Sequence, residues 1–306
     1  MKTMILAAGS GTRLRPITYT LPKAMVPLCN RPLIAWTVER LIGAGIRDFI
    51  VNLHHLPEKI ECDLPDRFAD ARFDFSFEPQ ILGTGGAVRK VRLLLERDEE
   101  FLLVNGDSIA FPQYDELGRA RRQHDSVAAL TLRHPPANDR FTPVFCQDGL
   151  ITGFGSGSGE TLMFSGTHLL TSRIFQYLPD QDVFGIVEDV YKPLLESGRE
   201  TLAGVVDDGL WFDIGTPQRY LRASAGMPDC PTVGARSRIQ GEMRDSVIWD
   251  DCTIGRGVVL ESCIVAHGVK ITSPVRLKNA IICRDDPAIP RDSSYRFEHD
   301  LVIAQF

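Results

Sequence analysis

The chain has 306 residues, room for roughly two domains, and its 34 basic and 40 acidic residues leave a formal charge of -6. Hydrophobic residues make up 43% and charged residues 24%, the balance of a globular protein, and no apolar run approaches the ~18 residues that cross a bilayer. The acidic balance excludes an extended nucleic-acid surface, which needs many cations, so any bound anion is expected to be small and locally held. The apolar start Met1-Lys2-Thr3-Met4-Ile5-Leu6 is too brief for a signal peptide. Seven cysteines with no C-x-x-C pair point to neither a disulfide framework nor a zinc site, and reduced thiols in a cytoplasm are expected.

Read in order, the chain opens with a strand over residues 4–8 that runs into Gly9-Ser10-Gly11-Thr12. Lys2, Arg13, Arg15, Lys23 and Arg31 follow one another with no acid before Glu39. A dinucleotide fingerprint needs a third glycine where Leu14 stands, and a P-loop needs Lys-Ser or Lys-Thr after its last glycine. Neither fits. What remains is a glycine nest whose backbone N–H groups can approach phosphate oxygens, followed by Arg13 for paired hydrogen bonds and Lys23 as a point charge. Pro16, Pro22 and Pro27 stiffen the segment.

Ile34, Val38, Leu41 and Ile42 then share a helical face, with Pro32 in that helix's first turn and Gly43 just beyond its end. Strands follow over 49–53, 101–104 and 127–132, with a helix over 85–95 between the first two. The near-continuous apolar run of 101–104 indicates a strand covered on both faces. This βαβα order predicts an open, mostly parallel α/β sheet with helices on both faces, binding its ligand outside the carboxyl ends of the strands. Asp107 leaves the strand 101–104 at that edge, and Asp213 follows Leu210-Trp211-Phe212 in the same manner.

Beyond residue 229 the period changes. Val247, Thr253, Val259, Val265, Ile271 and Leu277 recur every sixth residue, and Ile248, Ile254 and Leu260 form a neighbouring row. A six-residue step is the signature of a parallel β-helix, here two or three coils long. The expected organisation is a catalytic domain over 1–226, a short hexapeptide β-helix over 229–285, and a tail over 286–306 with no usable pattern.

The stretch "LAAGSGTRLRPITYTLPKAMVPL" resembles the signature of the sugar-1-phosphate nucleotidyltransferases, with Ala8 at the second position and Ala24 in place of the usual proline after the lysine. "LGTGGAVRKV", "VNGDS", "FSGTHLL" and "WFDIGTPQRYL" agree in order, so the resemblance covers about 1–225. It implies the nucleotide-diphospho-sugar transferase fold, and the hexapeptide tail agrees with the left-handed β-helix many members carry. It also implies a reaction of NTP with sugar 1-phosphate to give NDP-sugar and pyrophosphate. Mannose- or heptose-1-phosphate guanylyltransferases and N-acetylmuramate-type uridylyltransferases are the nearest members in spelling.

On that resemblance Arg13 and Lys23 carry the catalytic charge. Ala7, Ala8, Gly9, Gly11, Thr12, Gly83, Thr84 and Gly85 bind the nucleotide; Asn105, Gly166 and Glu188 meet the sugar; Asp107 and Asp213 hold magnesium. Many relatives place a lysine before the "FSG" strand to meet the sugar phosphate. None lies between Gly149 and Ser165 here, which leaves Lys192 or Arg140 for that role. Neither nucleic acid nor membrane is an expected partner, and the β-helix is expected to serve packing or self-association. A non-catalytic nucleotide-sugar sensor would be expected to lack Arg13, Lys23 or a carboxylate, and all are present. Acetyl transfer at His267 would need a longer β-helix.

Overall fold

The computed structural model describes residues 1–137, 139 and 141–306, in two compact units. The first comprises Met1–Ala8, Thr37–Pro57 and Glu61–Trp211; the second comprises Gly9–Trp36, Glu58–Ile60 and Phe212–Phe306.

The first unit is built on nine strands: β1 (Thr3–Leu6), β2 (Asp48–Leu53), β3 (Arg72–Phe77), β4 (Glu100–Asn105), β5 (Ala128–Arg133), β6 (Pro143–Gln147), β7 (Leu150–Phe154), β8 (Glu160–Thr171) and β9 (Leu202–Val206). They lie in the order β3-β2-β1-β4-β8-β5-β9-β7-β6. β3, β2, β1 and β4 are parallel, but β8 runs antiparallel to both β4 and β5, and β7 is antiparallel to β9 and β6. The sheet is therefore mixed rather than mostly parallel. The long β8 enters the sheet from the opposite edge, which single-strand periodicity cannot reveal.

Burial explains why these strands form. Met4, Ile5, Phe101, Leu102 and Leu103 are fully covered, as the unbroken apolar runs require. Helices α1 (Leu33–Gly43), α2 (Glu58–Arg67), α3 (Gly83–Lys90), α4 (Arg92–Leu95), α5 (Tyr114–Gln123), α6 (Lys192–Ser197) and α7 (Pro217–Gly226) accompany the strands. Pro32 lies just before α1, in a two-residue strand, and Gly43 is the helix's last residue. The single helix expected over 85–95 is two, α3 and α4, separated at Val91.

In the second unit, residues 238–284 form three small parallel sheets. Val247, Thr253, Val259, Val265, Ile271 and Leu277 fall in six successive strands. The buried row is Ile248, Ile254, Leu260, Val265, Ile271, Leu277 and Ile282. It advances by six, six and then five residues, so paired positions such as Leu260 and Leu277 stand seventeen apart. The third step is short because the chain turns tightly at Asp245, Ser262 and Asn279, each with positive φ (49°, 52° and 49°). The tail without sequence pattern is also ordered: Arg296–Glu298 and Leu301–Gln305 form an antiparallel pair that extends the sheet through Ala280–Arg284.

The cysteine expectation is corrected here. Cys29 and Cys230 form a disulfide with Cα atoms 4.8 Å apart, while Cys62, Cys146, Cys252, Cys263 and Cys283 are free. Residues so distant in sequence carry no local signal of pairing. Among the described residues no helix is long and apolar enough to cross a membrane.

Candidate active site

In the first unit, Leu6 of β1 is flanked in register by Asn52 of β2 and Asn105 of β4, at the carboxyl edge of the parallel strands. Neighbouring strands leave β1 on both sides, so this edge is the switch point where open α/β sheets bind ligands. Gly106 brings the turn carrying Asp107 down onto β1: its N–H donates to the Leu6 carbonyl at 2.9 Å, and a β-carbon there would lie 2.9 Å from both Ile5 Cγ2 and that oxygen.

A buried relay ties this edge to the glycine-rich loop before α3. The Ala7 N–H donates to Asn52 Oδ1 at 2.7 Å, Asn52 Nδ2 donates to Glu78 Oε1 at 2.8 Å, and the Leu82 N–H donates to Glu78 Oε2 at 3.0 Å. Asn52 and Glu78 are both buried. Sequence reasoning passed over both. The available signal was an asparagine inside the apolar strand Phe49–Leu53, since a buried amide needs partners.

Gly83, Thr84 and Gly85 serve packing directly. Gly83 has φ +74°, and a β-carbon on it would lie 2.5 Å from the Phe184 carbonyl oxygen; one on Gly85 would lie 2.3 Å from the Phe184 ring. The Gly85 and Gly86 N–H groups both donate to the Phe184 oxygen, at 3.0 and 3.2 Å, and Thr84 Oγ1 accepts from the Ile186 N–H at 2.9 Å. The Gly85 and Gly86 amides at this helix start are therefore already engaged by the Phe184 carbonyl.

Elsewhere in the same unit, the pairing of β8 with β5 slips between Phe164 and His168. Gly166 occupies that irregularity with φ +105°, and a β-carbon there would lie 3.0 Å from Asn105 Nδ2. Bulges of this kind re-aim side chains beside functional sites. Trp211 Nε1 donates to the Ser165 carbonyl at 2.9 Å. Glu188 pairs with Lys192 one helical turn on. Arg140 lies outside the described residues.

The second unit holds Gly9, Gly11, Thr12, Arg13, Lys23 and Asp213. Gly11 adopts φ +59°; its carbonyl accepts from the Leu14 N–H at 3.0 Å and from Thr18 Oγ1 at 2.8 Å. A β-carbon on Gly11 would lie 3.0 Å from Lys23 Cβ and 3.0 Å from Thr18 Cγ2, so the missing side chain lets the lysine stem lie against the turn. Lys23 is buried at the start of a single 3₁₀ turn, after Pro22. Gly215 does the same for the opposing charges. A β-carbon there would lie 2.9 Å from Arg13 Nη2 and 2.9 Å from Asp213 Oδ1. Asp213 also pairs with Arg219 of α7, whose N-terminus Thr216 caps by accepting from the Arg219 N–H at 3.2 Å.

This loop is anchored within its unit. Trp249 Nε1 donates to Tyr220 Oη at 2.8 Å, and that hydroxyl donates to the Pro27 carbonyl at 2.7 Å, all three side by side in the interior or partly covered. Tyr19 meets Tyr295 edge-on at 6.3 Å.

A glycine turn, an arginine and an aspartate beside Gly215, and a buried lysine beside Gly11 are groups suited to a nucleotide-handling α/β protein. Comparison with known proteins carries the assignment further. The nucleotidyl transferase family model matches residues 2–229. A UTP–glucose-1-phosphate uridylyltransferase of Synechocystis is 27% identical, covering 98% of this chain and 83% of the relative. A mannose-1-phosphate guanylyltransferase of Mycobacterium tuberculosis is 24% identical over 91% of this chain and 79% of its own length. The solved structure of HddC from Yersinia pseudotuberculosis with GMP-PN superposes with a TM-score of 0.62 at 25% identity, over 73% of this chain and 98% of that one. The chain belongs to the nucleotidyl transferase family, among the sugar-1-phosphate nucleotidyltransferases that its opening motif resembles.

Proposed function

We propose that this chain condenses an NTP with a sugar 1-phosphate to give an NDP-sugar and pyrophosphate. The first pair proposed is GTP with mannose 1-phosphate; the alternative is a UTP or dTTP reaction with an N-acetylmuramate- or glucose-type 1-phosphate. The named activities of the relatives support the shared reaction and leave the base open. The observation that carries the reading is the pair of charged contacts inside the second unit, Arg13 and Asp213 beside Gly215, together with the buried Lys23 stem beside Gly11.

An oxygen of the sugar phosphate attacks the α-phosphorus, the new O–P bond forms, and the bond to the β-phosphate oxygen breaks with its electron pair leaving on pyrophosphate. The attacking monoester has a second pKa of about 6, so it is already largely dianionic near neutrality and needs no general base. What it needs is relief from anion–anion repulsion and in-line alignment. Arg13 offers its planar fork to the leaving phosphates, and Lys23, its stem covered, offers a point charge to the transferring group. The Gly9–Gly11 turn contributes backbone donors, Gly83 approaches the base, and Asn105, Gly166 and Glu188 meet the sugar.

Among the described residues no cluster of three or more His, Cys, Asp or Glu is shaped to hold a metal. The reading takes magnesium as brought with a nucleotide, where it uses one or two carboxylates and completes its shell with phosphate and water oxygens. Asp107 and Asp213 would hold it, where it would neutralise phosphate charge. On this reading residues 1–226 are the catalytic domain, 229–285 a short left-handed β-helix through which copies associate, and the protein is cytoplasmic.

The test incubates the chain with magnesium, each of four NTPs and a panel of sugar 1-phosphates while pyrophosphate is followed. Release with at least one pair, abolished by EDTA and by Asp107→Asn, is expected. Release with no pair, at any metal concentration, overturns the reading.

A further inference from the structure

The tail beyond residue 285 carries no sequence pattern, yet within the second unit it reaches the segment that follows the opening glycine turn. Tyr295 meets Tyr19 edge-on, with ring centroids 6.3 Å apart. The Arg15 guanidinium lies 4.6 Å from the centroid of the same Tyr19 ring, so that ring is gripped twice. The contact gives Arg15, a cation of the opening run outside the proposed catalytic pair, a place in the packing of the loop itself.

The two partners differ in how firmly each is held. Tyr295 stands on a rigid support: Arg296–Glu298 pair with Leu301–Gln305, which pair in turn with Ala280–Arg284 of the coils. The turn before Tyr295 is closed by Asp292, whose Oδ1 accepts from the Ser294 N–H at 2.7 Å and whose carbonyl accepts from the Tyr295 N–H at 3.4 Å. Arg291 fastens the start of that turn, donating to Asp285 Oδ2 at 2.8 Å and lying 4.4 Å from the Phe297 ring centroid. Tyr19, by contrast, ends a single 3₁₀ turn, Ile17–Tyr19, which is too short to hold its own shape. The adjacent Thr18 is buried and carries the hold inward. Its Oγ1 donates to the Gly11 carbonyl at 2.8 Å, and its Cγ2 and Lys23 Cβ would each lie 3.0 Å from a β-carbon on Gly11.

We infer that Tyr295 is a positioning residue for nucleotide binding: by holding Tyr19 it keeps the Ile17–Tyr19 turn, and with it the Gly11 turn and the Lys23 stem, in the arrangement that receives the triphosphate. This rests on the function proposed above and goes beyond it by giving the tail a part in the reaction. The Trp249–Tyr220 relay secures the loop after Lys23, at Pro27, and Tyr295 secures it before Lys23, at Tyr19. A loop released by Tyr295 spends part of its time in arrangements that do not bind, and the apparent affinity falls by the fraction that remains competent. Bound triphosphate then orders the loop itself, so the chemical step changes little.

The test measures kcat, both KM values and the melting temperature in the parent, Tyr295→Leu, Tyr295→Phe, Tyr19→Leu and the double leucine variant. Loss of the ring contact is expected to raise KM for the NTP about threefold to tenfold in either leucine variant, with kcat and KM for the sugar 1-phosphate within about twofold of the parent. Tyr295→Phe, which keeps the ring, should recover most of the difference, and the double variant should be no worse than the singles. A tail that served stability alone would lower the melting temperature and leave KM for the NTP where it was. An unchanged KM for the NTP in both leucine variants, an equal rise in both KM values, or no recovery in Tyr295→Phe overturns the inference. Hydrogen exchange separates it from the function it rests on. Faster exchange over residues 11–20 in Tyr295→Leu, in a protein whose parent turns over no pair of substrates, keeps the tether and removes the proposed function. Turnover with unchanged KM for the NTP and unchanged exchange removes the tether alone.

Discussion

Arg13 of the opening stretch and Asp213, 200 residues on, both bring a charged atom to within 2.9 Å of where a β-carbon on Gly215 would stand. Only a residue without a side chain leaves room for both, since an added β-carbon would lie 2.9 Å from each. Gly215→Ala is therefore expected to displace the guanidinium and the carboxylate by a few tenths of an ångström to about an ångström. A displacement of that order costs catalysis up to about 100-fold. Because both groups end flexible side chains, thermal stability should change little. Steady-state kinetics beside a melting curve checks this; full activity with the parent's melting temperature would refute it.

Lys23 is buried with its stem against Gly11. Lys23→Met keeps the packing volume and removes the charge, so turnover should fall by about 10²–10³ while the protein stays folded. Gly11→Ala acts differently. It places a side chain at φ +59°, costing about 1–2 kcal/mol, and also pushes on Lys23 and Thr18. Chemical denaturation and turnover, measured on both variants, should show activity loss without destabilisation in the first and both in the second.

The Trp249–Tyr220–Pro27 relay predicts that a residue of the C-terminal sheets influences the loop that carries Lys23. Trp249→Phe removes one donor, costing about 0.5–1.5 kcal/mol, and Tyr220→Phe removes both contacts and costs more. Both are expected to raise KM for the NTP as the Pro27 carbonyl loses its tether. A double-mutant cycle should show non-additive effects; strict additivity would mean the relay does not act as a unit.

The Cys29–Cys230 bond closes a sequence separation of 201 residues. Alkylation of the unfolded chain should label five thiols without reductant and seven with it, since five cysteines are free. Closing so long a loop restricts the unfolded ensemble, and reduction should lower stability by about 5 kcal/mol on the chain-entropy account. Seven labelled thiols in the non-reduced protein would eliminate the bond.

His134 sets the expected pH dependence of stability. Its Nδ1 lies 2.7 Å from Asp208 Oδ2 and its Nε2 2.9 Å from Glu160 Oε1, and both partners are acceptors, so both ring nitrogens must carry protons. The hydrogen bond to Asp208, followed by that to Glu160, raises its pKa above the ordinary 6.5, and the His134 backbone N–H, followed by the same imidazole, holds Asp208 below its usual value. A raised folded-state pKa stabilises fully below 6.5 and ceases to do so as pH climbs through the raised value. The melting-temperature difference between parent and His134→Gln should be largest in mild acid, above the carboxylate range, and shrink toward alkaline pH. A difference independent of pH would count against the charged pair.

The opening glycine turn, the basic run, the strand before Asp107 and the six-residue rhythm of the C-terminal region were legible without coordinates. Each depends on residues near one another along the chain: backbone permissiveness, charge of one sign, or a repeat matched to a strand length. Three kinds of fact were not legible. The antiparallel entry of β8 and the order of the tail depend on which strand finds which neighbour. The Asn52–Glu78 relay, the Gly215 contact and the Cys29–Cys230 bond join residues whose spacing carries no periodicity. The five-residue step in the buried row breaks a six-residue reading and is explained only by the positive-φ corners at Asp245, Ser262 and Asn279. The sequence by itself determined the local chemistry, because charge, turn and period are properties of neighbouring residues. Which of those groups face one another was decided by the tertiary structure, because burial and pairing are settled only when distant segments compete for the same partners.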